Sequence, residues 1–259
     1  MKQGATEAGQ RTEVLNPSAD LPGAEEFLRR VEAHFAAEGR TIYKARNEVK
    51  VIGAFNVKRF GVPGLLNCLV YSFLREPKAV RAYRHALRLI ELGIPTPVPA
   101  GYVLHKRRGL LRESYLVTAQ SPLGRTMYEF GHVPQREDRR EALRAFGRFT
   151  ARLHEKGVLH LDYSPGNILF DRKEEGDYAF ALVDVNRLRF SSEPVSLEEG
   201  CRNMCRLWGD EEALREIALA YAEARRADPE MVYERLRRAH DAFWRKRDTR
   251  WVHTPWQER

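Results

Sequence analysis

Three polar side chains lie next to apolar segments in the second half of the sequence. Asp162 follows one apolar segment, Asn167 comes five residues later beyond a Pro-Gly turn, and Asp184 ends a second apolar segment. The turn allows Asp162 and Asn167 to face one centre, to which the second segment delivers Asp184. Phosphoryl transfer needs a carboxylate that orients the attacking hydroxyl and accepts its proton, and oxygen ligands that hold Mg²⁺. We therefore assign Asp162 as the catalytic base, and Asn167 and Asp184 as metal ligands.

The spacing of these residues resembles a known catalytic loop. His160-x-Asp162-x4-Asn167 is similar to that loop in the protein-kinase-like superfamily, and Asp184 begins an Asp-Val-Asn tripeptide where that superfamily has Asp-Phe-Gly. The resemblance implies a kinase that uses ATP and Mg²⁺, with Asn167 also in the catalytic set. We expect His160 to fix the loop through hydrogen bonds with the backbone and not to react.

An upstream lysine is the next part that the resemblance implies, because in this superfamily a strand lysine holds the phosphates. Lys58 lies in an alternating strand-like segment, Phe55–Phe60, and is the first candidate for catalysis and nucleotide binding. Lys50, on the preceding strand, is the rival. The plain alternative for Lys58 is a surface lysine in contact with solvent.

The sequence contains no Gly-x-Gly-x-x-Gly loop, which usually covers the phosphates in this superfamily. A short hairpin tip occupies that place, and it carries Lys44, Arg46 and Asn47. We expect these three side chains to bind phosphate through charge and hydrogen bonds, in place of a glycine backbone.

The glutamate that usually pairs with the strand lysine is a second departure. Ala82 stands about where this helix glutamate is expected, and Glu48, Glu76 and Glu91 remain open as partners of Lys58. A nucleotide-binding pseudokinase is therefore an alternative to an active kinase.

The elements that must position these residues follow from periodicity and from turn residues. Residues 1–20 are expected to be loosely ordered. Strands are predicted at Thr41–Lys44, Glu48–Ile52, Phe55–Phe60, Ala100–Leu104 and Tyr115–Ala119, and helices at about 24–38, 77–92, 137–156, 196–207, 210–226 and 229–246. Strands followed by helices indicate an α+β protein. We expect an N-terminal extension with a short helix (1–39), a small β-rich N-lobe with one main helix (40–119) and a helical C-lobe with the catalytic loop (120–259), as in a bilobal protein-kinase-like fold.

Several segments in order resemble the lipopolysaccharide kinase (Kdo/WaaP) family. They are Ile42–Glu48, Lys78–Tyr83, Leu92–Pro97, Ser114–Tyr115, the Asp162 loop and Val183–Arg187, within roughly residues 40–190. The resemblance implies phosphorylation of Kdo or heptose on a lipopolysaccharide precursor, Kdo–lipid A. Ser164, where Ser/Thr kinases carry Lys, and the absence of Ala-Pro-Glu after Asp184 argue against a protein kinase. A protein or aminoglycoside kinase of the same fold remains an alternative.

The positive charge of the chain is concentrated in one segment. The net charge is +8 overall, but −3 over residues 1–39, +11 over residues 40–108 and zero over the rest. The helix at 77–92 shows an apolar stripe of Val80, Tyr83, Leu87 and Ile90, and a separate basic stripe of Arg81, Arg84 and Arg88. These arginines and the apolar stretch Gly61–Leu74 could contact an anionic membrane. A solvated helix face and an apolar core segment are the plain alternative.

Other classes of protein fit the composition less well. No stretch has the roughly 18 apolar residues that span a bilayer, and the N-terminus does not resemble a signal peptide. We therefore expect a cytoplasmic protein, with peripheral contact at the inner face of the inner membrane. Trp244, Trp251 and Trp256 lie among basic residues, a pattern that could bind nucleic acid. That alternative leaves the catalytic loop unexplained, so nucleic acid is not an expected partner.

Overall fold

The computed structural model describes residues 9–61, 76–132, 137–173, 176–207 and 209–245. The chain divides into two compact units, Met1–Pro122 and Leu123–Arg259. Within the described ranges, no helix combines the length and the apolar character needed to cross a bilayer. The apolar stretch 62–74 and the tryptophans at 251 and 256 lie outside these ranges.

The first unit contains one six-stranded antiparallel sheet. Its strands are β1 (Gln10–Leu15), β2 (Arg40–Lys44), β3 (Asn47–Ile52), β4 (Phe55–Phe60), β5 (Pro99–Arg107) and β6 (Leu110–Ala119), in the order β1-β5-β6-β4-β3-β2. Tight connections join β2 to β3 and β3 to β4, and the first three predicted strands are confirmed. The predicted later strands also form, although both begin earlier along the chain.

The expectation that residues 1–20 are loosely ordered is wrong for β1. This strand pairs with β5 along its whole length, from Gln10 opposite Lys106 to Leu15 opposite Gly101. A side chain at Gly101 would collide with the carbonyl oxygen of Val14, so this glycine allows the two strands to approach. The polar sequence of β1 hid the strand, because backbone pairing at a sheet edge does not require apolar side chains.

Helices cover both faces of the sheet. The predicted helix at 24–38 is two helices, α1 (Ala24–Arg29) and α2 (Val31–Ala37), because the backbone leaves helical geometry at Arg30. They pack on the face that carries Val57, Val103 and Val117. The residues from β1 to α2 are therefore part of the first unit and not a separate extension.

The opposite face of the sheet is covered by α3 (Lys78–Glu91). Side chains alternate between the two faces of a strand, and Phe60, Leu104 and Leu116 pack on the α3 side. The apolar stripe of α3 differs from the predicted one, because Ile90 is 41% exposed. The buried residues are Ala79, Ala82, Tyr83, Ala86 and Leu89. Small alanine side chains allow the helix to lie close to the sheet.

The second unit is mainly helical. Its helices are α4 (Glu129–His132), α5 (Arg139–Glu155), α6 (Leu197–Asn203), α7 (Glu211–Ala224) and α8 (Pro229–Arg245). Its strands are β7 (Arg125–Thr126), β8 (Val158–His160), β9 (Ile168–Arg172), β10 (Tyr178–Leu182) and β11 (Leu188–Phe190), which form the sheets β10-β9-β7 and β11-β8. The predicted helix at 196–207 ends at Asn203, and a 3-10 turn, Met204–Arg206, follows it.

A buried chain of hydrogen bonds joins three helices of this unit to the end of β8. Arg225 donates a hydrogen bond of 2.8 Å to the hydroxyl of Tyr221. This hydroxyl lies 3.0 Å from Nδ1 of His154. Nε2 of His154 lies 3.2 Å from Oδ1 of Asn203, whose Nδ2 donates to the carbonyl oxygen of His160 at 2.8 Å. The amide orientation of Asn203 makes Nε2 of His154 the donor, so Nδ1 accepts from Tyr221. His154 is therefore held in the neutral form.

Burial of these hydrogen-bonded side chains disfavours the charged form of His154. The side chain is fully buried, and desolvation lowers the pKa of His154 to about 4. A Cβ atom at position 200, on α6, would lie 2.9 Å from Nδ1 of His154, so Gly200 is what allows the close packing. Protonation would place an unpaired charge at this position.

We predict that His154 makes the stability of the protein depend on pH below neutrality. The unfolded chain takes up a proton at His154 near pH 6.5 and the folded chain only near pH 4, so stability present above pH 6.5 is lost as the pH falls to 4. At ~1.4 kcal/mol per unit of pKa difference, the loss is roughly 3 kcal/mol. Urea unfolding of the protein and of His154→Gln should show that their free energies of unfolding converge as the pH falls from 6.5 to 4. A constant difference between the two would contradict the buried neutral imidazole.

Candidate active site

The loop after β8 brings two of the predicted residues together. Residues 161–164 lead into a 3-10 turn, Pro165–Asn167, from which β9 continues. The carbonyl oxygen of Asp162 accepts a hydrogen bond from Nδ2 of Asn167 at 2.9 Å and another from the backbone N–H of Ser164 at 2.8 Å. The Pro-Gly turn therefore folds the chain as the sequence predicts, with Asn167 held against the backbone of Asp162.

His160 joins this loop to the end of β10. Its Nδ1 accepts a hydrogen bond from the backbone N–H of Asp162 at 3.1 Å, and its Nε2 lies 3.1 Å from the carbonyl oxygen of Val183. Because Nδ1 accepts, Nε2 carries the proton and donates to Val183. The ring is fully buried, and desolvation lowers the pKa of His160. The predicted hydrogen bonds of His160 with the backbone are confirmed.

Asp184 is placed by the same connection. The backbone N–H of Val183 donates to the carbonyl oxygen of Asn167 at 3.0 Å, so the residue before Asp184 is tied to the turn that contains Asn167. Asp184 itself has a φ of 53°, in the left-handed region that a non-glycine residue rarely adopts. Nδ2 of Asn186 donates to Oδ1 of Asp184. Strained backbone of this kind is typical of functional positions.

The chemistry of Asn167 and Asp184 fits a magnesium ion. With Nδ2 of Asn167 bound to Asp162, its Oδ1 has no hydrogen-bond donor among the residues that the structure describes. Those residues contain no group of three His, Cys, Asp or Glu side chains placed to hold a metal ion. Mg²⁺ needs no such group, since it is commonly bound through one or two side-chain oxygens together with phosphate and water.

Two tyrosine side chains contribute to the packing of the loop between β8 and β9. The hydroxyl of Tyr163 lies 2.8 Å from Oγ1 of Thr150 on α5, and the Tyr163 side chain is buried next to Asp162. A Cβ atom at Gly166 would collide with the ring of Tyr128. These contacts limit the conformations that the loop can adopt.

Arg206 contacts Asp162, the candidate catalytic base, and the sequence analysis did not identify Arg206. It ends the 3-10 turn after α6, and its Nη1 forms an ion pair with Oδ1 of Asp162. The guanidinium also lies over the ring of Phe243 on α8, 5.5 Å from the ring centroid. Local patterns gave no sign of this contact, because the ion pair joins residues 44 positions apart.

In the first unit, the two candidate lysines have different surroundings. Lys58 lies opposite Leu116 of β6, on the sheet face that α3 covers, and its Nζ is 5.3 Å from the centroid of the Phe60 ring. Nζ of Lys50 donates to the carbonyl oxygens of Phe35 at 2.7 Å and Glu38 at 3.5 Å. Lys50 therefore stabilises the carboxyl end of α2, where a cation is favoured. Lys58 remains the candidate for phosphate binding, on the sheet face that α3 covers.

Each of the three candidate glutamates has an arginine partner. Glu48 accepts from Arg59 at 2.7 Å, Glu76 from Arg84 at 2.8 Å and Glu91 from Arg88 at 2.9 Å. Glu48 is buried, and the other two carboxylates are more exposed. The structure therefore gives each of these carboxylates a role in an ion pair of the first unit.

The hairpin tip lies at the exposed edge of the sheet. Lys44 and Arg46 are exposed and Asn47 is half-buried, and the N–H of Ala45 donates to the carbonyl oxygen of Asn47 at 2.9 Å. The first unit thus holds Lys58 and the hairpin tip, and the second unit brings together Asp162, Asn167 and Asp184.

The chain is similar to a described protein family and to solved structures. The family model described as the lipopolysaccharide kinase (Kdo/WaaP) family matches residues 45–196. A solved structure, "WaaP in complex with acyl carrier protein", has a TM-score of 0.58 and 16% identity, and the match covers 94% of this chain and 100% of that one. The Rio2 kinase–ADP/Mg²⁺–phosphoaspartate complex from Chaetomium thermophilum has a TM-score of 0.46 and 13% identity, covering 91% of this chain and 82% of that one. A comparison with curated protein sequences finds no match.

The likeness to WaaP confirms the predicted protein-kinase-like fold. The family model spans more than half of the chain, so the predicted family and enzyme class are confirmed as well. The chain belongs to the lipopolysaccharide kinase (Kdo/WaaP) family and is a phosphotransferase that acts on an alcohol group.

Proposed function

We propose that this lipopolysaccharide kinase transfers the γ-phosphate of ATP, with Mg²⁺, to a hydroxyl of Kdo or heptose in the inner core, on a precursor such as Kdo–lipid A. The observation that carries the proposal is the His160 bridge, which fixes the backbone of Asp162 relative to Val183, next to Asp184. Family membership supplies the class of acceptor. The alternatives are a kinase for another small molecule, a protein kinase and a pseudokinase that transfers no phosphate. The assay below distinguishes them.

Asp162 is proposed to act on the acceptor hydroxyl. Its carboxylate orients the hydroxyl and takes its proton as the oxygen–phosphorus bond forms and the bond to the bridging oxygen of ADP breaks. Asn167 and Asp184 would hold Mg²⁺, which neutralises charge on the phosphates when bound. The left-handed backbone at Asp184 and the hydrogen bond from Asn186 hold the aspartate in a defined orientation before any ligand binds.

Lys58 is proposed to bind the nucleotide phosphates in the first unit, together with Lys44, Arg46 and Asn47 at the hairpin tip. The rival lysine is already bound to helix carbonyls, as described above. The exposed positions of Lys44 and Arg46 suit contact with phosphate oxygens, and charged side chains form stronger hydrogen bonds than neutral ones.

Peripheral contact with an anionic membrane is proposed for α3. Arg84 and Arg88 have side chains 70% and 53% exposed, and the segment around them carries a net charge of +11. Their ion pairs with Glu76 and Glu91 reduce the local charge, so the rest of the basic segment would have to contribute. Anionic surfaces attract such clusters with about 1 kcal/mol per basic residue.

We predict that Asp162→Ala lowers the transfer of labelled phosphate from ATP to Kdo–lipid A by about 10²–10⁴-fold, because the loss of a general base has effects of this size. Nucleotide binding should stay close to that of the unchanged protein. Asp184→Ala should instead weaken nucleotide binding in the presence of Mg²⁺. Asp177→Ala, an exposed aspartate before β10, is the matched control and should change neither.

The same assay should include heptosylated core, an aminoglycoside and a generic protein as acceptors. Kdo–lipid A should be offered in vesicles of anionic and of neutral lipid, and faster transfer in the anionic vesicles would support membrane contact. Transfer to the aminoglycoside or the protein, but to no glycolipid, would overturn the proposed acceptor. Nucleotide binding without any transfer would indicate a pseudokinase.

We predict opposite effects for the two lysines. Lys58→Met should lower phosphate transfer per folded molecule by about 100-fold or more, because the charge acts on phosphates. Lys50→Met should lower the free energy of unfolding by roughly 1–3 kcal/mol, since it removes a charged donor from part-buried helix carbonyls, and leave transfer per folded molecule unchanged. The reverse assignment of effects would show that Lys50 is the phosphate lysine.

A further inference from the structure

Arg206 lies beside the proposed catalytic base without an evident part in the transfer of phosphate. Its Nη1 pairs with Oδ1 of Asp162, and the side chains of Arg206 and Asp162 are 30% and 37% exposed. An ion pair with this exposure contributes only about 0–1 kcal/mol to stability. Stability therefore does not explain why a guanidinium is placed here.

The guanidinium has capacity for a further ligand. Nε and Nη2 of Arg206 make no hydrogen bond to any residue in the described ranges. The ring of Phe243, 5.5 Å from the guanidinium, supports the side chain from α8 and limits its movement. Arg206 is thus held in place with part of its donor fork available, which is the arrangement that binds a carboxylate or a phosphate.

The position of Arg206 determines which ligand it would meet. A general base in a kinase contacts the attacking hydroxyl, so a side chain bound to Asp162 lies close to the acceptor sugar. We propose that Arg206 binds an oxyanion of the acceptor, next to the hydroxyl that is phosphorylated. This inference rests on the proposed function. The oxyanion could be the carboxylate of an acidic sugar such as Kdo or a phosphate of the glycolipid, and a guanidinium binds both in the same way.

The test compares Arg206→Gln with the unchanged protein on matched acceptors. The acceptors are Kdo–lipid A, the same compound with its sugar carboxylates converted to methyl esters, and a dephosphorylated form. Arg206→Gln should raise the KM for intact Kdo–lipid A by about 10- to 100-fold, because charged hydrogen bonds have effects of this size, and leave the KM for ATP unchanged. Removing the oxyanion that Arg206 binds should raise the KM of the unchanged protein for the acceptor by the same factor. It should leave the KM of Arg206→Gln unchanged.

The control is Arg202→Gln, an arginine of α6 that is 69% exposed and paired with Glu198. This substitution should leave kcat and the KM values for ATP and for each acceptor unchanged. Arg206→Lys, which retains the charge without the fork, should give an intermediate KM, and it serves in place of Arg206→Gln if that variant does not fold. Loss of activity with the ester identifies the carboxylate as the ligand, and loss with the dephosphorylated form identifies the phosphate.

Two results would overturn the inference. An equal fall in kcat on all three acceptors would show that Arg206 acts only through Asp162, and no change would show that it has no role. In both cases the unchanged protein still phosphorylates the glycolipid, so the proposed function stands. If the unchanged protein phosphorylates no glycolipid, the proposed function fails, and the inference fails with it.

Discussion

The two segments that carry Asp162 and Asp184 are held together through one neutral imidazole. His160 accepts from the backbone of Asp162 and donates to the carbonyl oxygen of Val183, so a single ring sets the spacing between the two segments that carry the aspartates. The direct backbone bond from Val183 to Asn167 closes the same connection. Protonation of the ring would turn the acceptor at Nδ1 into a donor that faces another donor. Burial keeps the ring neutral and thereby preserves the geometry of the loop.

This bridge is itself held by buried polar groups behind it. Asn203 fixes the carbonyl oxygen of His160, and Asn203 is in turn oriented by His154 and Tyr221. Networks of this kind are costly if one member is lost, because each remaining group is then buried without a partner. The helices α5, α6 and α7 thus do more than provide an apolar core. They fix the position of the strand end that precedes Asp162.

The parts that could be predicted from the sequence depend on local geometry. Asp162 and Asn167 are joined by one turn, and the alternation of β4 places Lys58 and Phe60 on the same face, so spacing alone predicts both. The parts that could not be predicted from the sequence depend on partners that are distant along the chain. The strand β1 is defined by its pairing with β5, and Arg206 meets Asp162 because the 3-10 turn after α6 lies beside the candidate catalytic loop. The buried face of α3 was misplaced because alanine is a weak indicator of burial in a pattern.

The most direct test is to determine the tautomer and the titration of His160 by nitrogen NMR of the ¹⁵N-labelled protein. The His160→Gln variant assigns the signals. We predict the Nε2–H tautomer, and an imidazole that stays neutral as the pH falls below 6.5, because burial lowers the pKa of His160. A ring protonated at Nδ1, or one that titrates near 6.5 like an exposed histidine, would contradict the bridge on which the proposed active site depends.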